Sequence, residues 1–361
     1  MKRVLISFFL LVLVGASTLA ATTDSTTTIL RPRFTYSPYV GQLLGRDPEL
    51  ARLRDTPYFG QELLFGFQTS GADSRHAALN YPYYGMGLYY GAYGNDVIEN
   101  AYAAFLFLDV PLLKGEKSSF NIAAAMGLAL NCNQYTFDDD PGFLETSSYA
   151  NVYSHISLSY HYNVTPRLDL GLGARFQHFS NGGWQYPNHG MEMASVQLSV
   201  SYLPDLKGVS KALVSLSDKK HEFITVVSVG VNGSEVNYDK KFFNSTLSTA
   251  YSFIRKPSYA LGAGLDVTYN GSLAEYDPLT AVGSDNLVYG GMFVSNELIF
   301  QKTRIGVQLG TYLWGDPNFE SSIYERLILR YQFIPQSFLH FGIKLNGDKS
   351  ECLEWGIGFI I

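Results

Sequence analysis

Residues 167–180, RLDLGLGARFQHFS, decide the fold of this chain. Apolar side chains occupy the even positions from Leu168 to Phe176, whereas the odd positions hold Asp169, Arg175, Gln177 and two glycines. A period of two is that of a β-strand, whose successive side chains point to opposite faces. The segment is therefore predicted to be a strand with one apolar face and one polar face.

The same alternation recurs along the chain, in residues 194–202 after this segment and in residues 353–361 at the C-terminus. Most of these segments are longer than the usual soluble strand of about 5–6 residues. Their length suits a tilted strand that crosses a bilayer in about 9–11 residues. We count about fourteen such segments, at approximately 62–68, 82–93, 100–113, 118–131, 148–163, 167–180, 191–203, 221–232, 246–255, 258–270, 287–301, 303–314, 321–334 and 337–361. The last is predicted to be a hairpin that turns near Gly347.

The composition of the 361 residues agrees with this pattern. Charged residues make up 16% and aromatic residues 15%, whereas soluble domains carry roughly 25% charged residues. No apolar run after the N-terminus is long enough for a membrane helix. A net charge of −6 without a basic patch gives no sign of nucleic-acid binding. The sequence therefore predicts an all-β protein, a transmembrane antiparallel β-barrel.

The chain begins with the features of a secretory signal peptide. Lys2 and Arg3 precede the apolar core Val4–Val14, and small residues follow, so we expect cleavage after about residue 20. We expect residues 21–60 to be a periplasmic lead-in or a plug, because they are less regular. Export and the strand pattern together predict a location in the bacterial outer membrane. The two cysteines, Cys132 and Cys352, could pair or remain free thiols.

Three polar residues interrupt the apolar rows. His178 and Ser180 continue the apolar row of their strand, and Glu192 heads the apolar row of the next strand. Adjacent antiparallel strands would bring the three together on the outer surface near a membrane boundary. A Ser, a His and a carboxylate are the parts of an acyl-transfer site. The alternative interpretation is a polar rim that meets lipid headgroups.

The loop between these two strands contains groups that could stabilise a tetrahedral oxyanion. They are the side chains of Asn181 and Asn188 and the backbone N–H groups near Gly182 and Gly183. No cluster of cysteine and histidine suggests a metal site, and serine esterase chemistry requires neither a metal nor an organic cofactor.

The segment His178-Phe179-Ser180-Asn181, followed by Pro187-Asn188-x-Gly190-x-Glu192, resembles the signature of the PagL family, the outer-membrane lipid A 3-O-deacylases. The resemblance implies that His178 is the general base, Ser180 the nucleophile and Glu192 the orienting carboxylate, with Asn181 and Asn188 in the oxyanion hole. It also implies lipid A or lipopolysaccharide as the partner and removal of the 3-O-linked acyl chain as the reaction. It extends more loosely over residues 60–203, where some segments are similar to longer acyloxyacyl hydrolases.

PagL itself is an eight-stranded barrel that ends with its catalytic strands, whereas this chain continues for about 150 residues of strand pattern after Tyr202. We expect residues 61–203 to be the PagL-like segment and residues 204–361 to add strands to one barrel of about 14–16 strands. The alternative is an eight-stranded barrel followed by a second β domain. The alternative functions are a non-enzymatic channel or scaffold and an outer-membrane phospholipase.

Overall fold

The computed structural model describes residues 27–44, 56–71, 73–94, 98–130, 147–204, 209–212, 220–234, 237, 240–275, 286–315, 321–347 and 349–361. The chain forms two compact units. One contains Thr18–Asn181 and Pro187–Leu213, and the other contains Gly182–Tyr186 and Val214–Ile361. Each unit holds a closed, eight-stranded antiparallel barrel.

The first barrel is a ring of strands β1 to β8 in chain order, closed by the pairing of β1 with both β2 and β8. A short ninth strand, β9, adds to β1. The strands are β1 Thr27–Leu43, β2 Tyr58–Gly71, β3 Tyr83–Ala92, β4 Ala101–Lys114, β5 Ser118–Leu130, β6 Ala150–Thr165, β7 Leu168–Ser180, β8 Met191–Tyr202 and β9 Val209–Ala212. One short helix, α1 Ser74–Ala78, lies between β2 and β3.

The second barrel is a ring of strands β10 to β17, closed by the pairing of β10 with β17. The strands are β10 His221–Gly233, β11 Lys241–Lys256, β12 Tyr259–Asn270, β13 Val288–Phe300, β14 Thr303–Trp314, β15 Ile323–Ile334, β16 Ser337–Asn346 and β17 Lys349–Ile360. A 3-10 helix, Gly271–Ala274, follows β12. The predicted hairpin in residues 337–361 is confirmed. No helix among the described residues is long and apolar enough to cross a membrane.

The preferred expectation of one barrel of 14–16 strands is wrong, and the alternative of an eight-stranded barrel with a second β domain is confirmed. The backbone groups on the free edge of β8 pair with β1, so β8 has no edge left for β10. Strand β10 pairs with β17 in turn, and each ring closes on itself. Strands β10 to β17, His221–Ile360, thus form a separate barrel instead of enlarging the first, whereas β9 pairs with β1.

The expectation that residues 21–60 form a lead-in or a plug is also wrong for Thr27–Leu43, which is strand β1. Pro32 and Pro38 made this segment look irregular, because proline removes a ladder hydrogen bond. The alternation is nevertheless present, since Phe34 and Tyr36 are exposed while Thr35 is buried. The buried polar residues of this segment, such as Thr35, line the lumen.

The two faces of the first barrel have the polarity that the alternation predicted. Outward apolar side chains such as Leu172 and Leu198 are exposed, and inward polar ones are buried. Inside the lumen, Arg175 forms two hydrogen bonds to Glu62, the longer of them 2.7 Å. Arg33 forms an ion pair of 2.8 Å with Asp169. Because charges in a low-dielectric interior are costly unless paired, each buried arginine needs its carboxylate partner.

Candidate active site

The register of β7 and β8 determines the geometry of the candidate site. His178 on β7 lies directly opposite Glu192 on β8. The His178 Nδ1 atom is 3.9 Å from Glu192 Oε1, and both side chains are partly buried, with 32% and 16% of their surfaces exposed. A carboxylate beside Nδ1 is the arrangement that orients the imidazole in a Ser-His-carboxylate site.

Ser180 is the last residue of β7, two positions after His178 and on the same outward face. Asn188 in the following loop contacts it through both ends of the amide, because Nδ2 donates to Ser180 Oγ at 3.0 Å and Ser180 Oγ is 3.3 Å from Oδ1. Oδ1 also accepts a hydrogen bond of 3.0 Å from the backbone N–H of Asn181. Asn188 therefore links the serine to the turn that follows it.

Glycines shape the loop between β7 and β8. Gly182, Gly183 and Gly190 all have positive φ, of 70°, 83° and 79°, which L side chains adopt only with strain. Gly190 also lies against the imidazole of His178, since a Cβ there would be 2.6 Å from His178 Cε1. Sequence reasoning used Gly190 only as a motif position and missed this packing.

The inward neighbours of His178 hold β7 in place. Gln177 is fully buried, accepts a hydrogen bond of 2.8 Å from Tyr58 and donates one of 3.2 Å to Tyr153. Phe179 is also fully buried, with its ring 5.1 Å from that of Tyr153. Because side chains alternate along a strand, fixing residues 177 and 179 inside the lumen fixes His178 on the outside.

Ser154 on β6 is a site residue that sequence reasoning missed. It lies opposite His178 on the other neighbouring strand, and its hydroxyl is 3.5 Å from the His178 carbonyl oxygen. The signal was available in the sequence, because Ser154 is the polar exception in the outward row that contains Val152, Ile156 and Leu158. Ser154, His178 and Glu192 thus lie side by side on the outward surface, on the neighbouring strands β6, β7 and β8.

Other histidines and one cysteine are buried in the barrels, and His189 lies in the β7–β8 loop. His155 and His161 are buried in the first barrel, where His161 Nδ1 is 2.8 Å from Asp169. Cys352 is buried in the second barrel as a free thiol, and Cys132 lies outside the described residues. Within the described ranges, no group of three or more His, Cys, Asp or Glu residues is placed to bind a metal ion.

Two family models match the chain, one for each barrel. The model described as lipid A 3-O-deacylase (PagL) matches residues 61–201, and the acyloxyacyl hydrolase C-terminal domain matches residues 221–361. The chain belongs to the PagL family. It is a carboxylic ester hydrolase of the lipid A deacylase type, with lipid A or lipopolysaccharide in a membrane as its substrate.

The two PagL-family models divide the chain where the structure does. The second match begins at residue 221, the first residue of β10, and spans the whole second barrel. The first match contains most of β2, all of β3 to β7, nearly all of β8 and every triad candidate. The additional strands β10 to β17 thus match a family model of their own and are not an irregular extension.

Comparison with solved structures returned porins. A triple mutant of the Rhodopseudomonas blastica porin is 10% identical, with 92% of this chain and 100% of that chain covered and a TM-score of 0.21. A double mutant of the same porin is 11% identical over the same shares, with a TM-score of 0.20. Likeness at this level carries no argument about this chain. A comparison with curated proteins found no match.

Proposed function

We propose that the chain is an outer-membrane serine esterase that removes the 3-O-linked acyl chain of lipid A through an acyl-enzyme on Ser180. The observation that supports the proposal is the His178–Glu192 pair at 3.9 Å, with Ser180 two positions after His178 on the same outward face of the first barrel. Because the outward face of a membrane barrel contacts lipid, an ester bond within a lipid is the substrate that such a site can reach. The resemblance of residues 178–192 to the family signature supports the 3-O position.

In the first step, Ser180 Oγ bonds to the ester carbonyl carbon while His178 accepts the hydroxyl proton. Glu192, opposite Nδ1, stabilises the resulting imidazolium, so Nε2 is the nitrogen that exchanges the proton. When the tetrahedral intermediate collapses, the bond to the 3-oxygen of lipid A breaks. His178 returns the proton to that oxygen and leaves the acyl group on Ser180.

In the second step, water attacks the acyl-enzyme. His178 accepts a proton from the water and passes it to Ser180 Oγ as the fatty acid leaves. The Nδ2 group of Asn188 donates to the nucleophile at 3.0 Å, and in the proposal it stabilises the oxyanion in both steps. The backbone N–H groups near Gly182 and Gly183 are the further candidates. No step uses a metal or a cofactor.

The location in the outer membrane is part of the proposal. The loop 181–190 lies at the end of the first barrel where the longer connections also lie, between β1 and β2 and between β5 and β6. In outer-membrane barrels the longer loops face the outside. The site would then open toward the outer leaflet, where lipopolysaccharide resides.

Lipid A mass spectrometry tests the proposal in cells that express the wild-type chain, Ser180→Ala or Ser245→Ala. Ser245 is an outward serine on β11 and serves as the matched control. We expect lipid A from cells with the wild type or the control to lack one acyl chain at the 3-position, and lipid A from cells with Ser180→Ala to keep it. Identical lipid A in all strains would contradict deacylation, and loss of acyl chains from glycerophospholipids would support a phospholipase.

A further inference from the structure

We infer that the second barrel, β10 to β17, is itself a membrane-spanning unit with a sealed lumen, bound to lipid acyl chains on its outside and closed to ions on its inside. The inference concerns this barrel alone and does not depend on the proposed deacylase mechanism. It assigns a lipid partner to a surface that catalysis does not use.

The outward surface of the second barrel carries a continuous apolar band. The strand registers place Leu339 beside Ile357, Ile357 beside Val227, Val227 beside Leu247, and Leu247 beside Val267. All five side chains are exposed, with Val227 54% exposed. Monomeric soluble proteins rarely expose contiguous apolar patches larger than about a few hundred Å².

The chemistry of the occupant follows from the shape of this surface. The band passes around a closed barrel that has paired strand edges, so β-strand addition by a protein partner is disfavoured. The strands of 10–16 residues match the about 9–11 tilted residues that cross a bilayer. Flexible acyl chains can cover an apolar surface that curves around a cylinder, because they pack against it from every side.

The lumen is filled by charged pairs at three levels. At the end of the barrel where β10 begins, Arg304 is 2.8 Å from Glu222, which lies on the diametrically opposite strand. In the middle, Arg326 is 3.1 Å from Asp266 and 2.9 Å from Glu354.

At the far level, Lys344 is 3.1 Å from Glu351 and is fully buried among three tyrosine rings. Its Nζ atom lies 4.6–5.1 Å from the ring centres of Tyr289, Tyr312 and Tyr324. Eight strands give an interior just wide enough for side chains to fill. The Lys344–Glu351 pair joins adjacent strands, but Tyr289 on the opposite strand β13 donates a hydrogen bond to Glu351. Contacts that cross the barrel at three levels leave the lumen to side chains and not to a water column.

Trp355 provides a probe of the outer surface, because it lies mid-strand on β17 and is 61% exposed. The full chain with Trp184→Phe and Trp314→Phe retains it as the one tryptophan of the three. This variant would be reconstituted into phosphatidylcholine vesicles with bromine at defined acyl-chain depths. We expect deep bromines to remove most of its emission.

A companion variant that retains Trp314 serves as the depth control. Trp314 ends β14 and is also exposed, so bromines near the headgroups should quench it more than deep bromines do. Trp355 emission that no brominated lipid quenches, in vesicles where the first barrel is active on lipid A, would overturn the inference. Quenched Trp355 together with no deacylation by the wild-type chain in the same vesicles, supplied with lipid A, would leave this inference intact and contradict the proposed function instead.

Planar bilayers test the seal. The wild-type full chain, shown by Trp355 quenching to be inserted, is expected to produce no conductance steps. Reproducible single-channel steps would overturn the sealed lumen and would favour a channel role for this chain.

Discussion

His178 and Glu192 face each other across β7 and β8, with Nδ1 and Oε1 separated by 3.9 Å on the outer surface of the first barrel. Strand register places them there, because residues 178 and 192 form a directly opposed pair. Removal of the charge should therefore impair catalysis without affecting the barrel. We predict that Glu192→Gln lowers kcat on the order of 10²–10⁴-fold, as loss of the orienting carboxylate does in a triad.

The measurement for Glu192→Gln is release of fatty acid from purified lipopolysaccharide, with thermal unfolding in detergent as the structural check. Gln42→Ala is the matched control, because Gln42 is outward on β1 beside Ala194, next to the site but outside the triad. A Glu192→Gln enzyme with wild-type kcat would show that the carboxylate has no catalytic role.

Asn188 joins Ser180 to the backbone of Asn181, and its two amide ends have different tasks. In Asn188→Asp the Oδ1 acceptor for the Asn181 N–H remains, but the Nδ2 donor to Ser180 is lost. We predict a fall in kcat of about 10²–10³-fold, the effect of removing one oxyanion donor, with KM changed little. Steady-state kinetics on lipid A would reveal the split. A change confined to KM would instead assign Asn188 to substrate binding.

Gly190 combines a positive φ with close contact to His178, so Gly190→Ala should affect both stability and activity. The left-handed conformation costs an L residue roughly 1–2 kcal/mol. The new Cβ, 2.6 Å from His178 Cε1, must displace the imidazole. Displacement of a catalytic group by about 1 Å costs on the order of 10²-fold in rate.

Gly94→Ala separates the two effects of that substitution. Gly94 has a φ of +65°, but the nearest atom to its added Cβ is 3.5 Å away, so the strain is similar and the steric clash is absent. We expect comparable unfolding midpoints for the two variants and an activity loss only for Gly190→Ala. Equal activities in folded Gly190→Ala and Gly94→Ala proteins would rule out steric displacement of His178.

Glu62 and Arg175 form a buried pair inside the first barrel, where Tyr153 also donates to Glu62 at 2.7 Å. Glu62→Leu leaves the arginine without its carboxylate, and we predict a loss of about 3–5 kcal/mol in the free energy of unfolding. The double variant with Arg175→Met should recover most of that loss, because both charges are gone. Urea unfolding in micelles would measure both, and a double variant no more stable than the single one would contradict the account.

Much of the fold could be predicted because alternation is a local property. Leu168 to Phe176 specify a strand and its outward face without reference to any other residue. The same rule placed His178, Ser180 and Glu192 on the outer surface, and the structure brings the first and last of them to 3.9 Å. The same rule also places Ser154 on the outer surface, as the polar residue in the row of Val152, Ile156 and Leu158.

The tertiary structure alone decided how the strands close. Strand β1, with its two prolines, pairs with β8, which follows it at a distance of nearly half the chain, Phe34 opposite Tyr202. This pairing separates two barrels where one was expected. The sequence by itself determined which side chains point outward, which point into the lumen, and that His178, Ser180 and Glu192 interrupt the outward apolar rows. It could not determine closure, because strands are joined by backbone hydrogen bonds that every residue except proline can form, so side chains specify a strand more strongly than they specify its partner.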